Sequence, residues 1–214
     1  PIDLIVINLY PFEAAIAKET CSLEDAIENI DIGGPAMIRS AAKNFNDVTV
    51  VVNPADYDLV MGELSANNGC VSRETRFRLS RDAFAMTARY DALISKYLSE
   101  KIDGNSRFPA IFQQPFEKIQ DLRYGENPHQ AAALYKNERA HPCDIVSAKQ
   151  LMGKELSYNN ILDLNAAWEL VREFDVGATA IIKHNNPCGA ALGDDQLSTF
   201  IRARETDPVS AFGG

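Results

Sequence analysis

The segment KHNNPCG at residues 183–189 concentrates side chains that can perform chemistry. His184 can accept and release a proton near neutral pH, which a general base must do. The adjacent Lys183 can stabilise negative charge or assist that transfer, and the amides and glycine that follow suit contact with a planar substrate. A single histidine is more often structural, but this one falls in a predicted polar loop after a strand over residues 178–182. Lys183 and His184 are therefore candidate catalytic residues.

A second segment, RYGENPHQ at residues 123–130, combines a guanidinium, a phenol, a carboxylate, two amides and an imidazole. Arg123 suits bidentate recognition of an anion. Tyr124 offers a flat face on which a heterocycle can stack. Both are candidate substrate-binding residues, and a polar surface loop is the alternative interpretation that the residues leave open.

A third segment, DIGGP at residues 31–35, has two glycines directly before a predicted helix. Gly33 and Gly34 would let the backbone approach a ligand, and the helix N-terminus would offer N–H groups to an anion or an oxyanion. Asp31 precedes the turn, whereas Lys43 lies at the far end of the helix, so only the fold could bring the two together. A simple loop–helix junction with a solvated lysine is the alternative.

Tyr10 stands in NLYPF, residues 8–12, where a predicted strand ends. Ligands of open α/β sheets bind at the carboxyl ends of strands, so the Tyr10 hydroxyl could donate a hydrogen bond to a ligand there. From the residues alone, a tyrosine packed against the sheet edge is the preferred interpretation.

The pattern of a zinc-dependent deaminase is incomplete. Such enzymes carry a PCxxC pair and an HxE motif, whereas PCGAA at residues 187–191 has one cysteine and no HxE precedes it. We therefore expect no zinc site, and we expect Cys188 to be a small packing residue. The four cysteines form no CxxC pair, which is typical of a reduced, cytoplasmic chain.

The composition narrows the possible functions. Of the 214 residues, 46% are hydrophobic and 24% are charged, which is ordinary for a globular protein. The net charge of −9 gives no basic footprint for nucleic acid. No apolar run approaches the ~20 residues that cross a bilayer. We expect neither nucleic acid nor a membrane as a partner.

Strands and helices alternate in the first part, which predicts a mostly parallel α/β sheet. The predicted strands cover residues 2–9 and 48–52, and the predicted helices cover 22–30, 35–44, 54–66 and 72–102. A capping box at 22–25, Pro35 at the first helical position and Asn53 as a cap mark helix starts. After a linker at 103–117 we predict a loop at 121–130, strands near 131–135 and 178–183, and helices over 161–174 and 195–205.

Together these motifs resemble one family, the bifunctional phosphoribosylaminoimidazolecarboxamide formyltransferase / IMP cyclohydrolase. The resemblance runs along the whole chain in the family's order. It rests on NLYPF at 8–12, NIDIGGPAMIRSAAKN at 29–44, RYGENPHQ at 123–130, LSYNN at 156–160, KHNNPCG at 183–189 and DPVSAFGG at 207–214.

The resemblance implies two α/β domains. Residues 1–115 would be the C-terminal part of a methylglyoxal-synthase-like cyclohydrolase domain, which closes the ring of formylated aminoimidazole carboxamide ribonucleotide (FAICAR) to give IMP. Tyr10, Asp31 and Lys43 fall on that family's active-site tyrosine, aspartate and lysine. Asp31 and Lys43 would move protons, and N–H groups near Gly33 and Gly34 would hold the oxyanion.

Residues 116–214 would begin a transformylase domain with a cytidine-deaminase-like fold that lacks zinc. It would move a formyl group from the co-substrate 10-formyltetrahydrofolate to the amine of the unformylated ribonucleotide (AICAR). By position, His184 would accept the amine proton and Lys183 would stabilise the intermediate. Contacts to the nucleotide would come from Arg123, Tyr124 and Asn160.

The resemblance also implies that neither site is complete in this chain. The family's first cyclohydrolase segment would precede Pro1, and most of its transformylase would follow Gly214. We therefore expect the chain alone to have little or no activity. The resemblance also implies that the transformylase site forms across a homodimer interface, so we expect a second subunit as a partner. The alternatives are a nucleotide-sensing methylglyoxal-synthase-like module, which has no need of the motifs after residue 116, and a zinc nucleobase deaminase.

Overall fold

A computed structural model describes residues 2–104, 108, 110–137 and 140–211. The chain divides into two compact units, Pro1–Gln114 and Pro115–Gly214, and each is described by itself. Both units mix helices with small sheets. Their assignment to methylglyoxal-synthase-like and cytidine-deaminase-like domains stays a prediction.

The first unit contains two parallel strands, β1 (Leu4–Val6) and β2 (Thr49–Val51). Parallel strands need a crossover connection, which here includes helices. The parallel pairing predicted from strand–helix alternation is therefore present, although this sheet has only two strands among the described residues. The helices of this unit are α1 (Phe12–Ile16), α2 (Leu23–Glu28), α3 (Gly33–Lys43), α4 (Tyr57–Ala66) and α5 (Arg73–Asp103).

Local capping explains several of these helix starts. Ser22 Oγ accepts the N–H of Asp25 at 3.0 Å and Asp25 Oδ2 accepts the N–H of Ser22 at 3.2 Å, so the predicted capping box is confirmed. Asn53 caps the short 3-10 turn before α4 by accepting the N–H of Ala55 at 3.0 Å. The long helix α5 ends at Gly104, whose φ of 58° is the left-handed conformation that glycine adopts easily.

The core of the first unit joins α3, β2 and α5. Ile38, Val50 and Ala83 are fully buried and pack together, so the apolar face of α3 lies against both the sheet and the long helix. One prediction was wrong in detail. The helix begins at Gly33, which makes Pro35 its third residue rather than its first. Proline fits there because the first N–H groups of a helix have no intrahelical partner.

The second unit has two antiparallel pairs. Strand β3 (Phe116–Leu122) pairs with β4 (Ala132–Asn137), and β5 (Ala178–Lys183) pairs with β6 (Asn186–Leu192). The helices are α6 (Tyr158–Arg172) and α7 (Gln196–Thr206). The predicted strand at 178–183 and both predicted helices are present. Strands β3 and β6 were missed, because their residues were assigned to the linker and to loops.

Candidate functional site

In the first unit, Asp31 ties the segment after β1 to the start of α3. Its Oδ1 accepts the N–H of Gly34 at 2.7 Å, and its Oδ2 accepts the N–H of Tyr10 at 3.4 Å. A Cβ on Gly34 would lie 2.5 Å from Leu9 Cδ2 and 2.7 Å from Asp31 Oδ2. A larger residue at position 34 would therefore have to displace the ends of the Leu9 and Asp31 side chains.

This edge of the sheet is open to a ligand. Tyr10 is 58% exposed, and apart from the chain neighbours of Gly33 and the backbone of α3 no heavy atom lies within 4 Å of the position that a Cβ on Gly33 would take. The first turn of α3 thus lies beside the Asp31 carboxylate, which also contacts the backbone of Tyr10. The N–H groups of such a turn can receive an anion or a developing oxyanion.

Lys43 lies elsewhere in this unit. It is the last residue of α3, so a rise of 1.5 Å per residue puts its Cα about 15 Å along the helix from Gly33. Its side chain is exposed. The described fold brings Tyr10, Asp31, Gly33 and Gly34 together but leaves Lys43 at the opposite end of the helix.

Tyr90 is a supporting residue that the sequence did not reveal. Its hydroxyl accepts the N–H of Asp31 at 2.8 Å and donates to the carbonyl of Asn29 at 3.2 Å. The side chain is 9% exposed and packs edge-on against Phe12, and burial raises the pKa of the phenol. Tyr90 therefore fixes the backbone that carries the Asp31 carboxylate. It lies 59 residues away along the chain, and no local pattern marks it.

Replacing Tyr90 with phenylalanine is expected to lower the free energy of unfolding by about 1–3 kcal/mol, since the Asp31 N–H loses its acceptor in a half-buried place. Urea unfolding followed by circular dichroism measures this loss. Tyr97→Phe is the matched control, because Tyr97 packs on the same Phe12 ring at 5.7 Å. Equal stability of the two variants would show that the Tyr90 hydroxyl does not support this turn.

In the second unit, the segments RYGENPHQ and LSYNN lie side by side. The N–H of Arg123 donates to the carbonyl of Leu156 at 2.8 Å, and the N–H of Tyr158 donates to the carbonyl of Tyr124 at 3.0 Å. The Asn159 amide adds a third link, to the carbonyl of Glu126 at 3.0 Å. Two segments separated by some 30 residues thus meet at the N-terminus of α6.

Arg123 and Tyr124 form a pair at this place. The guanidinium carbon lies 4.9 Å from the centre of the tyrosine ring, and Nη2 lies 3.3 Å from the hydroxyl. Hydrogen bonding with Ser157, and then with Arg123, lowers the pKa of the Tyr124 phenol. Because Arg123 is exposed, the pair can present a positive charge to an anion.

Asn160 has a structural contact besides its predicted role in binding. Its Oδ1 accepts the N–H of Ser157 at 3.0 Å and the Ser157 hydroxyl at 2.9 Å, while Ser157 Oγ accepts the N–H of Asn160. Ser157 is only 1% exposed. This capping box begins α6, so a ligand contact from Asn160 would have to use the amide nitrogen.

The predicted loop at KHNNPCG is instead a hairpin, which corrects the sequence interpretation. Lys183 pairs with Asn186, and the two residues between them form the turn. His184 and Asn185 have φ values of 53° and 63°, as the two central residues of a type I′ turn require. The exposed His184 therefore stands at the tip of the hairpin β5–β6.

Lys183 lies near the segment DPVS at residues 207–210. The pKa of the Asp207 carboxyl is lowered, chiefly by its hydrogen bonding with Ser210 and also by the charge of Lys183. This polar segment is thus within electrostatic reach of Lys183. Residues 212–214 of the DPVSAFGG motif lie outside the described residues.

The described residues contain neither a cluster of metal-ligating side chains nor a membrane-spanning helix. No three His, Cys, Asp or Glu side chains of the described ranges are grouped so that they could hold a metal ion. No helix in the same ranges is long and apolar enough to cross a membrane. Cys188 is half-buried, with its Sγ 3.5 Å from the carbonyl oxygen of Ile181.

Comparison with known proteins identifies the family. A family model described as "AICARFT/IMPCHase bienzyme" matches residues 41–214, which is most of the chain and confirms the resemblance there. A solved structure titled "Crystal structure of ForH" is 36% identical, with a TM-score of 0.40. That match covers 44% of this chain and 48% of the ForH chain, which is less than two thirds of its length. The chain belongs to the AICARFT/IMPCHase bienzyme family.

Proposed function

We propose that this chain carries parts of two active sites that act in succession in IMP synthesis. The second unit would transfer a formyl group from 10-formyltetrahydrofolate to AICAR, and the first would close FAICAR to IMP. The observation that carries the proposal is the meeting of RYGENPHQ with LSYNN at the start of α6, inside the residues matched by the family model. A cytoplasmic homodimer is part of the proposal.

In the formyl transfer, His184 would act as the general base. The amine of AICAR attacks the formyl carbon, the new N–C bond forms, and His184 accepts the amine proton. The bond from the formyl carbon to the folate nitrogen then breaks, and that nitrogen takes up a proton as tetrahydrofolate leaves. Lys183 would stabilise the oxyanion of the tetrahedral intermediate. A base is needed because this amine is a weak nucleophile.

Arg123, Tyr124 and Asn160 would bind the nucleotide. The exposed guanidinium of Arg123 suits a phosphate, and its stacking on the Tyr124 ring limits the conformations that it can adopt. Asn160 begins the helix at the same place, and its amide nitrogen can donate to an acceptor of the ligand.

In the ring closure, the carboxamide nitrogen of FAICAR attacks the formyl carbon, and the formyl oxygen leaves as water. The N–H of Gly33 would stabilise the oxyanion, that of Gly34 would join it only on leaving its 2.7 Å hydrogen bond to Asp31 Oδ1, and Asp31 would move a proton. The Asp31 carboxylate accepts hydrogen bonds from the N–H groups of Gly34 and Tyr10, and its remaining lone pairs can accept a proton from the substrate. Tyr10 would donate a hydrogen bond. The proposal retains Lys43 on the family resemblance alone, because α3 holds it far from Asp31.

Asp31→Asn tests the division into two sites. We expect ring closure in the intact enzyme that carries this chain to fall about 10²-fold, because the amide keeps an acceptor for Gly34 but cannot take up the proton. Formyl transfer should be unchanged. Both activities are measured by absorbance on one preparation, with the exposed Asp47→Asn as the control.

Loss of both activities in Asp31→Asn would contradict two separate sites, and loss of neither would contradict the proposed role of Asp31 in ring closure. We expect no turnover from residues 1–214 alone, and full turnover would overturn that expectation. Nucleotide binding without either activity in the intact enzyme would favour a nucleotide-sensing module instead. Stoichiometric zinc in the purified protein would favour the deaminase.

A further inference from the structure

The turn that carries His184 needs support from outside the hairpin. Two consecutive residues other than glycine, His184 and Asn185, adopt φ values of 53° and 63°. Residues with a Cβ adopt this left-handed region infrequently, and they persist in it where surrounding contacts determine the conformation. The structure identifies one such contact from α6 and a second one within the turn itself.

The first contact comes from α6. Asp163 Oδ1 accepts the backbone N–H of Asn185 at 2.7 Å. A carboxylate makes this a charge-assisted hydrogen bond, which is shorter and stronger than one between neutral groups. The second contact lies within the turn, where the Asn186 amide donates to the carbonyl of His184 at 3.0 Å. Both contacts thus hold the one peptide group that joins His184 to Asn185.

The position of Asp163 on α6 links the hairpin to the other polar segments. Asp163 lies three residues after Asn160, so the two side chains share one face of the helix. Asn160 is fixed by the Ser157 cap, and Tyr158 is joined to Tyr124. One helical turn therefore connects the residues proposed to bind the nucleotide with the residue proposed to be the base.

We propose that Asp163 is a positioning residue for formyl transfer, which holds the turn at Asn185 so that His184 faces the substrate bound at the start of α6. This inference rests on the proposed function. Asp163 itself touches no reacting atom. Its effect is to fix a geometry, and small misplacements of a catalytic group can cost large factors in rate.

The contact itself is tested first, in the ¹⁵N-labelled 214-residue chain. In Asp163→Ala, the amide proton of Asn185 should move upfield and exchange with solvent faster, whereas Asp163→Asn keeps an acceptor and should preserve its protection. Glu169→Ala is the matched control, since it removes a carboxylate from the same helix that pairs only at 3.4 Å with Arg172. Trp168 fluorescence checks that each variant is folded. An unchanged Asn185 amide in Asp163→Ala would overturn the inference.

The catalytic effect is tested in the intact enzyme. We expect Asp163→Ala to lower kcat for formyl transfer by roughly 10- to 100-fold with little change in KM for AICAR. Asp163→Asn should recover most of the loss, and Glu169→Ala should match wild type. A moved Asn185 amide with unchanged kcat would overturn the positioning role.

A His184 variant measured in parallel distinguishes an error in the inference about Asp163 from an error in the choice of His184 as the base. If its turnover falls while that of Asp163→Ala does not, the inference about Asp163 is wrong and the proposed base stands. If the His184 variant keeps full turnover, the proposed base is wrong and the inference falls with it.

Discussion

Removing the imidazole at position 184 is expected to lower kcat for formyl transfer by about 10²–10⁴-fold, the usual contribution of a general base. The reacting amine is a weak nucleophile, so attack without proton removal should be slow. Ring closure should continue at the wild-type rate, because the residues proposed for it lie in the first unit. The measurement compares both reactions in the intact enzyme that carries this chain.

The choice of substitution matters because His184 has a positive φ. Alanine is strained in that conformation, whereas asparagine tolerates it. His184→Asn therefore removes the base and preserves the turn. We expect His184→Asn and His184→Ala to lose similar amounts of activity, and a much milder loss in His184→Asn would indicate that strain in the turn, not chemistry, caused the effect.

His141→Ala is the matched control among the three histidines. His141 Nδ1 accepts the N–H of Cys143 at 3.1 Å in an exposed turn, outside the polar segments proposed to form the site. This variant should retain full transfer activity. Unchanged transfer in both His184 variants would make KHNNPCG a structural hairpin, and the base would have to be sought elsewhere.

Local signals in the sequence predicted two helix starts of the first unit, whereas α1 was not predicted and α3 begins two residues earlier than expected. Ser22 with Asp25, and Asn53 before Pro54, place a side-chain acceptor where a helix has N–H groups without partners. The same kind of signal was present at Ser157 and Asn160, but it was overlooked there, and the predicted helix therefore began three residues late. These rules concern neighbours along the chain, which a sequence displays directly.

The hairpin at His184 could not be predicted from local sequence signals of this kind. A type I′ turn is usually marked by Asn-Gly or Asp-Gly, and here it is His184-Asn185. Pro187 also argues against a strand, since it cannot donate to the ladder. Pro187 pairs with Ile182 at the point where the register of β5 and β6 shifts, since the preceding residue Ile181 pairs with Gly189. Packing against α7 and the contact from Asp163 stabilise a hairpin that local preferences disfavour.

Contacts distant in sequence account for the rest of the candidate site. Tyr90 supports Asp31 across 59 residues, and Asp163 supports Asn185 across 22. Spacing gave no indication of either pair. The polar motifs predicted the candidate site residues. The buried or half-buried groups that hold those residues in place can be recognised only in the folded chain.

Gly189→Ala is expected to destabilise the second unit by about 3 kcal/mol, the upper end of the usual cost of overpacking. Gly189 lies in β6 opposite α7. A Cβ there would be 2.0 Å from the carbonyl oxygen of Ala203 and 2.9 Å from its carbonyl carbon. Both atoms are backbone, and Ala203 is fully buried, so no side chain can move aside. The strand or the helix would have to shift.

Trp168, the one tryptophan of the chain, lies in α6 of the same unit and reports this loss by fluorescence during urea unfolding. Gly62→Ala is the control, because Gly62 is exposed within α4 and a Cβ there meets no heavy atom within 4 Å. That change should stabilise α4 of the first unit by up to about 1 kcal/mol, and we expect it to leave the Trp168 transition of the second unit unchanged. Since a domain is stable by only ~5–15 kcal/mol, the Gly189 variant should unfold at clearly lower urea. A midpoint equal to that of wild type would mean that α7 does not pack against β6 at Gly189, and the support for the hairpin that carries His184 would then have to come from Asp163 alone.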